Sequence, residues 1–126
     1  MAAVLDASAV LALYLDEPGA ATVADFVAGA LLSSVNYTEV IGTAIDRGRL
    51  YDRVLVSLSQ MGLVVVAHDV ALARRAGALR AATKPFGLSL GDRACLALAE
   101  REGLPIYTAD RLWARLKLGI DIRLIR

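Results

Sequence analysis

The sequence predicts an α/β fold, a three-layer α/β/α sandwich built around a short-stranded, mainly parallel sheet. Short, wholly apolar segments rich in β-branched residues alternate along the chain with longer segments of helical spacing. The chain has 126 residues, of which 57% are hydrophobic, enough to fill a core on both faces of a sheet. This length suits one domain and is too short for two ordinary ones. We therefore expect a single domain over residues 1–126.

Five apolar segments predict the strands. Strands of four or five residues without alternating polar positions are typical of a parallel sheet that is covered by helices on both faces. The predicted strands are residues 2–5, 31–34 (LLSS), 63–67 (LVVVA), 105–108 (PIYT) and 122–125 (IRLI), the last of them at an edge.

The intervening segments place apolar residues three or four positions apart, which predicts helices. Gly48 closes the third of them, and residues 84–87 (KPFG) are a predicted loop. The predicted helices are residues 8–15, 18–30, 36–47, 50–60, 68–83, 89–102 and 110–117.

The bulk composition excludes several classes of protein. A formal net charge of +1 gives no general attraction to nucleic acid, so a polyanion would need a local patch or metal ions. The longest uncharged run, residues 54–68, is too short to span a membrane, and the N-terminus lacks the basic leader of a signal peptide. The single cysteine, Cys95, cannot form an internal disulfide. We therefore expect a cytoplasmic protein with no membrane segment.

Four acidic residues share one kind of position in the predicted fold. Asp6 and Asp110 directly follow strands, and Glu39 and Asp92 fall in the first turns of predicted helices. In an open parallel sheet the carboxyl ends of the strands and the starts of the following helices lie along one edge, where ligands bind. The four carboxylates are therefore expected to converge.

Each of these acids is also a good helix cap. Residues 36–39 (NYTE) and 89–92 (SLGD) both resemble a capping box, and Asp6 and Asp110 fit N-caps, each worth about 1 kcal/mol. Two carboxylates 4 Å apart, however, repel by about 4 kcal/mol at an effective dielectric of 20. Converging carboxylates therefore predict a bound cation, and oxygen ligands of this kind suit Mg²⁺ or Mn²⁺.

Four segments, VLDASAV, NYTEV, SLGDRACLALA and YTADRLW, together resemble the PIN-domain ribonucleases, and most closely the VapC-type toxins of prokaryotic toxin–antitoxin pairs. The resemblance covers essentially the whole chain. It implies that Asp6, Glu39, Asp92 and Asp110 form a catalytic quartet that binds Mg²⁺ or Mn²⁺ and cuts single-stranded or looped RNA. It also implies a homodimer and a small cognate VapB-type antitoxin that covers the active edge.

The resemblance further suggests individual roles. Asp6 and Asp110 are expected to contact the metal ion directly or through water. Asp92 and Glu39 are expected to complete the site or to position the water, with Glu39 favoured as the base.

Supporting residues are predicted as well. Ser8 and Thr108 match small hydroxyl residues of the family. Arg93, Arg111 and Lys84 are candidates for phosphate contacts, with ordinary surface charge as the alternative.

The remaining conspicuous side chains are assigned to structure. His68 lies at a predicted helix start, whereas Cys95 and Trp113 fall in apolar helical patterns that indicate core positions.

Two other functions stay open from the sequence. One is a phosphatase-like enzyme with Asp6 as nucleophile, although LDASA lacks the second aspartate that such enzymes commonly carry two residues later. The other is a non-catalytic binding module whose acids serve only as helix caps.

Overall fold

The computed structural model describes residues 2–126, which form a five-stranded parallel sheet between two layers of helices. The strand order is β3-β2-β1-β4-β5, and all four neighbouring pairs are parallel. The strands are β1 (Val4–Leu5), β2 (Leu31–Ser33), β3 (Val64–Val66), β4 (Ile106–Thr108) and β5 (Ile122–Leu124). The predicted α/β sandwich with a short-stranded sheet is confirmed.

Seven α-helices and two 3-10 helices connect or cover these strands in the described part of the chain. None of them is long and apolar enough to cross a membrane. The α-helices are α1 (Ala7–Tyr14), α2 (Ala20–Ala24), α3 (Ser34–Asp46), α4 (Tyr51–Gln60), α5 (Val70–Ala78), α6 (Arg80–Thr83) and α7 (Leu90–Glu102), and the 3-10 helices are Lys84–Phe86 and Arg111–Arg115.

The strands divide the interior into two apolar clusters, because successive side chains of a strand point to opposite faces. Leu5 and Tyr107 pack in the cluster beneath α1, α3 and α4. Val4 and Ile106 pack in the other cluster with α5, α7 and the fully buried Trp113. Both faces of the sheet are thus covered.

Helix α3 begins at Ser34, two residues before the predicted start. Ser33 ends β2 and also caps α3, since its Oγ accepts a hydrogen bond from the Val35 amide at 3.2 Å. Asn36 is consequently an interior helical residue, and Glu39 lies in the second turn. The predictions that residues 36–39 form a capping box and that Glu39 is a first-turn residue are wrong.

The helix predicted for residues 18–30 is wrong over most of its length. Helix α2 has only five residues, from Ala20 to Ala24. Gly19 precedes it and Gly29 follows it, both with positive φ (96° and 80°), and such left-handed residues interrupt a right-handed helix. Between them Phe26 stacks on Tyr107 of β4, with 4.6 Å between the ring centroids.

Two other predicted helices have different bounds. Residues 68–83 form two helices separated at the buried Leu79, and the first begins after Asp69, whose Oδ1 accepts a hydrogen bond from the Leu72 amide at 2.9 Å. The predicted helix 110–117 is a 3-10 helix over Arg111–Arg115, and the predicted loop 84–87 contains the other 3-10 helix.

The order of the strands reverses beside β1. Strands β2 and β3 continue outward on one side of β1, and β4 and β5 lie on the other side. In open parallel sheets, ligands bind in the crevice outside the carboxyl ends of the strands at such a switch point. Here the crevice lies beyond Leu5 of β1 and Thr108 of β4.

Candidate metal-binding active site

Asp6 lies at this switch point and is buried, with only 5% of its surface exposed. It caps α1, where its Oδ1 accepts hydrogen bonds from the Ala9 amide at 2.9 Å and from Ser8 Oγ at 2.7 Å. Its Oδ2 accepts a hydrogen bond from Thr108 Oγ1 at 2.6 Å. No basic side chain among residues 2–126 forms an ion pair with it.

The two hydroxyls that hold Asp6 also hold the segment after β4. Ser8 Oγ accepts a hydrogen bond from the Ala109 amide at 2.9 Å, and Thr108 Oγ1 accepts one from the Asp110 amide at 3.0 Å. The ends of β1 and β4 are therefore joined by one polar network. Ser8 and Thr108 orient the Asp6 carboxylate within it.

Burial raises the pKa of Asp6 from its ordinary value of 3.8 to about 6. Hydrogen bonds from Thr108, Ser8 and the Ala9 amide oppose this rise in pKa, whereas the negative charge of Asp92 adds to it. The loss of hydration outweighs three hydrogen bonds because a buried carboxylate is costly to ionise. A cation beside Asp6 would remove this cost.

Asp92 occupies the first turn of α7 and closes a capping box with Ser89. The Asp92 amide donates to Ser89 Oγ at 3.2 Å, and the Ser89 amide donates to Asp92 Oδ2 at 2.9 Å. The capping box predicted for residues 89–92 is thus confirmed. Asp92 nevertheless acts on the pKa of Asp6, so capping a helix does not remove it from the acidic site.

Glu39 reaches the same place from the other helical layer. Its side chain is exposed, and its Oε1 accepts a hydrogen bond from Asn36 Nδ2 at 2.8 Å. The Glu39 carboxylate lies directly against Gly91, since a Cβ atom on that glycine would overlap both carboxylate oxygens. Glu39 and Asp92 therefore meet at the first turn of α7.

The buried thiol of Cys95 is influenced by the negative charge of all three of these acids. Burial raises the pKa of this thiol well above its ordinary value, and the negative charges of Asp6, Asp92 and Glu39 raise it further. Three carboxylates from different elements thus act on one atom in the second turn of α7. The structure brings these three predicted site residues together.

Asp110 is attached to this cluster through its backbone. Its amide bonds to Thr108 Oγ1, but its side chain is exposed and caps the second 3-10 helix, with Oδ1 accepting a hydrogen bond from the Leu112 amide at 3.0 Å. Its charge is not among those that shift the pKa of Asp6 or Cys95. Asp110 therefore lies at the margin of the acidic cluster.

The donor set fits a hard divalent cation. Among residues 2–126 no three His, Cys, Asp or Glu side chains are arranged closely enough to enclose an ion by themselves. Mg²⁺, however, commonly uses one or two carboxylates and keeps several water ligands. Carboxylate and hydroxyl oxygens predominate here, and the buried Cys95 is held protonated, which favours Mg²⁺ or Mn²⁺ over thiophilic metals.

The three predicted phosphate-contacting residues have different surroundings. Arg93 donates from Nη1 to the Ala76 carbonyl of α5 at 3.2 Å, and its Nε is buried. Its guanidinium therefore links α7 to α5. Lys84 and Arg111 are exposed and have no ion-pair partner within residues 2–126.

Sequence reasoning missed the contribution of Asn36 and Gly91. Asn36 was predicted to be a cap, but its buried amide contacts Glu39 and the Gly91 carbonyl. The spacing of Asn36 and Glu39 was a usable signal, because residues three apart in a helix share a face. The contact with Gly91, 55 residues away, left no local signal.

Comparison with known proteins gives one family and several similar structures. The model of the PIN domain family matches residues 3–118, and no curated protein sequence matches the chain. A toxin–antitoxin complex from Klebsiella pneumoniae is 21% identical with a TM-score of 0.76, covering 98% of each chain. DNA-bound VapBC from Salmonella typhimurium is 21% identical with a TM-score of 0.72, covering 100% of each chain.

A third similar structure is VapC20 from Mycobacterium tuberculosis, described as a sarcin–ricin loop cleaving toxin. It is 16% identical with a TM-score of 0.74, covering 96% of this chain and 99% of that one. At such identities these likenesses show the fold. The family match spans nearly the whole sequence, and its fold is the one described above, so the chain belongs to the PIN domain family.

Proposed function

We propose that this protein is a VapC-type toxin, an endoribonuclease that cuts RNA phosphodiester bonds with Mg²⁺ or Mn²⁺. The observation that carries the proposal is the buried Asp6 carboxylate at the switch point of the sheet, which has no ion-pair partner among residues 2–126 and whose pKa is raised by burial and by the charge of Asp92. Membership of the PIN domain family and the likeness to toxin structures support it.

Asp6 and Asp92 would hold the ion, with Asp110 at the margin of its water shell. When bound, the ion lowers the pKa of a water molecule and offsets negative charge on the phosphoryl oxygens. Ser8, Thr108 and the Ala9 amide keep the Asp6 carboxylate in one orientation. No protein nucleophile is required.

Glu39 is the base in this proposal. Its Oε1 is engaged by Asn36 Nδ2, which leaves Oε2 to take the proton of the attacking water. A positioned carboxylate of this kind accelerates a reaction by about 100-fold to 10,000-fold.

Lys84 and Arg111 are exposed and form no ion pair within residues 2–126, so both side chains are available to contact RNA phosphates. Because the net charge is only +1, such local contacts and the bound ion would have to hold the substrate.

The proposed partners follow from the same likeness. Several of the similar structures are toxin–antitoxin complexes, and we propose a VapB-type antitoxin and a homodimer for this chain in the cytoplasm. Copurification of a small antitoxin with the tagged protein would test the proposed partner. The molecular mass of the purified protein, measured by light scattering, would test the proposed homodimer. A monomer that no antitoxin inhibits contradicts this part of the proposal.

The alternatives explain the geometry less well. A phosphoaspartate at Asp6 is disfavoured because both carboxylate oxygens already accept hydrogen bonds. A purely capping role suits Asp69, whose pKa is lowered chiefly by the hydrogen bond from the Leu72 amide, but not Asp6, whose pKa is raised. Glu39 caps no helix in the described chain.

Incubation of the purified protein with total RNA and Mg²⁺ or Mn²⁺, followed by mapping of the cleaved ends, tests the proposal. Asp92→Asn is the informative variant because the side-chain carbonyl of asparagine can still accept the hydrogen bond from the Ser89 amide, so the capping box is kept while the charge is lost. Asp69→Asn is its matched control, since Asp69 also caps a helix. Cleavage should disappear in Asp92→Asn and persist in Asp69→Asn, and equal activity of the two variants would remove Asp92 from the site.

A further inference from the structure

We propose that Asn36 and Gly91 form a seat for the Glu39 carboxylate, and that Asn36 is a positioning residue of the active site. The inference rests on the proposed function for its catalytic meaning. The seat itself is a structural claim about three residues on α3 and α7.

The amide of Asn36 is fixed by its partners. Asn36 is 1% exposed, and its Nδ2 donates to Glu39 Oε1 at 2.8 Å and to the Gly91 carbonyl at 3.0 Å. An ionised Glu39 carboxylate and the Gly91 carbonyl are both acceptors and have no proton to donate. The reversed Asn36 amide would therefore place its oxygen against two other oxygens. The orientation of the side chain is therefore set by chemistry.

The other atom of the Asn36 amide shows that the residue is not optimised for stability. Asn36 Oδ1 is buried and has no hydrogen-bond partner within residues 2–126. A buried acceptor without a donor opposes folding, and an apolar side chain of similar shape avoids this cost. The contribution specific to asparagine at this position is the pair of bonds that its Nδ2 makes.

Gly91 supplies the space in which the carboxylate lies. It is a helical residue without positive φ, so its backbone conformation does not require glycine, and glycine disfavours a helix. A Cβ atom there would overlap the Glu39 carboxylate. By contrast, a Cβ atom at Gly42 of α3 or Gly77 of α5 would meet open space.

The seat holds Glu39 close to an acid that belongs to a different helical layer. Glu39 projects from α3 in one helical layer, whereas Asp92 belongs to α7 in the other. A long exposed side chain loses rotamer freedom when it is held in one place. Asn36 and Gly91 hold it before substrate arrives and leave Oε2 without a hydrogen-bond donor among residues 2–126.

The first experiment observes the seat directly in the metal-free, full-length protein. In NMR spectra, both Nδ2 protons of Asn36 should exchange slowly with solvent. Glu39→Ala should shift one of these resonances strongly and leave the other, bonded to the Gly91 carbonyl, nearly unchanged. Rapid exchange in the wild type, or no response to Glu39→Ala, would overturn the seat whether or not the protein cleaves RNA.

The second experiment separates positioning from stability. Gly91→Ala and Asn36→Leu should lower kcat for RNA cleavage by about tenfold to 100-fold, the usual effect of losing a supporting contact, with KM and the thermal unfolding midpoint nearly unchanged. Gly42→Ala and Gly77→Ala are matched controls that should keep full kcat. Full kcat in both seat variants, or a loss of kcat that follows a loss of stability, would contradict the proposal.

The proposed function and the seat can be refuted separately. A wild-type protein that cleaves no RNA but shows the two protected Asn36 protons and their response to Glu39→Ala would refute the proposed function and leave the seat established. Active wild-type protein with unprotected protons would refute the seat alone.

Discussion

Acidic residues at the carboxyl edge of the sheet have different interaction partners from many acidic residues elsewhere on the protein. Away from this edge, five acids form ion pairs with arginines. Examples are the pairs of Glu100 with Arg75, Asp69 with Arg101 and Asp121 with Arg123. At the edge none of the four predicted site acids has such a partner in the described chain, although the sequence contains 14 lysines and arginines. Hydroxyls and amides hold these carboxylates instead.

Asp6 also differs in pKa from two acids outside the edge, Glu100 and Asp69. The hydrogen bond from Arg75 lowers the pKa of Glu100, and that from the Leu72 amide lowers the pKa of Asp69. Burial raises the pKa of Asp6 to about 6. Glu100 and Asp69 are thus stabilised as anions by the protein, whereas Asp6 is oriented by hydrogen bonds but has no ion-pair partner among residues 2–126.

The lack of an arginine is not sufficient to define the site. Four exposed acids also have no ion-pair partner among residues 2–126: Asp16, Asp25, Asp46 and Asp52. The edge differs because three of its acids, Asp6, Asp92 and Glu39, all act electrostatically on the buried thiol of Cys95. This arrangement around the buried Asp6 supports the proposal that a cation binds there.

The largest expected effect is on catalysis. Asp6→Asn should reduce metal-dependent RNA cleavage to background, because the variant loses the charge that attracts the ion while retaining the shape of the side chain. Asp121→Asn, which breaks a surface ion pair, should cleave like the wild type. Comparable activity of the two variants in a gel assay would show that Asp6 at the carboxyl edge is no more important for cleavage than the surface acid Asp121.

A smaller effect is expected on the stability of the metal-free protein. The folded pKa of Asp6 is about 6 and its ordinary value is 3.8, so the folded state binds the proton more tightly. Its contribution to the free energy of unfolding therefore falls as the pH rises from about 4 to 6 and stays low above that window, a loss of about 3 kcal/mol in total.

Urea unfolding of the wild type and of Asp6→Asn in a chelating buffer measures this contribution. The variant does not titrate at this position, so its stability relative to the wild type should increase between about pH 4 and pH 7.5 by a similar amount. A difference that stays constant with pH would mean that burial does not raise the Asp6 pKa.

The smallest effect is expected for a surface pair. Glu100→Gln removes the partner of Arg75, and because exposed pairs contribute little, the unfolding midpoint should change less than with Asp6→Asn. The pKa of Glu100 is lowered, so this small contribution is present above its ordinary pKa and disappears as the pH falls through the lowered value. A large loss of stability at neutral pH would show that surface acids matter more than this comparison allows.

Local sequence was sufficient for the parts of the site that depend on single strand ends. Asp6 was predictable because it directly follows a short apolar strand, whereas Ser8 and Thr108 were predicted from the resemblance to the family. The parallel sheet was predictable from the same apolar segments. The strand order and its reversal beside β1 were not, because they depend on which segments pair across the chain.

The position of Glu39 was harder to predict because a strand passes directly into a helix. Ser33, Ser34 and Asn36 are all good N-cap residues, so the sequence does not single out the true cap, Ser33. The error of two to three residues moved Asn36 from the helix interior to its end. Its bond to the Gly91 carbonyl depends on how α3 and α7 pack, which no local pattern specifies.

Mn²⁺ titration of the metal-free protein, followed by electron paramagnetic resonance at neutral pH, tests the central claim most directly. The wild type should bind the ion at a saturable site, Asp6→Asn should lose that site, and Asp69→Asn should keep it. Absence of saturable binding by the wild type, or equal binding by the wild type and Asp6→Asn, would contradict the account.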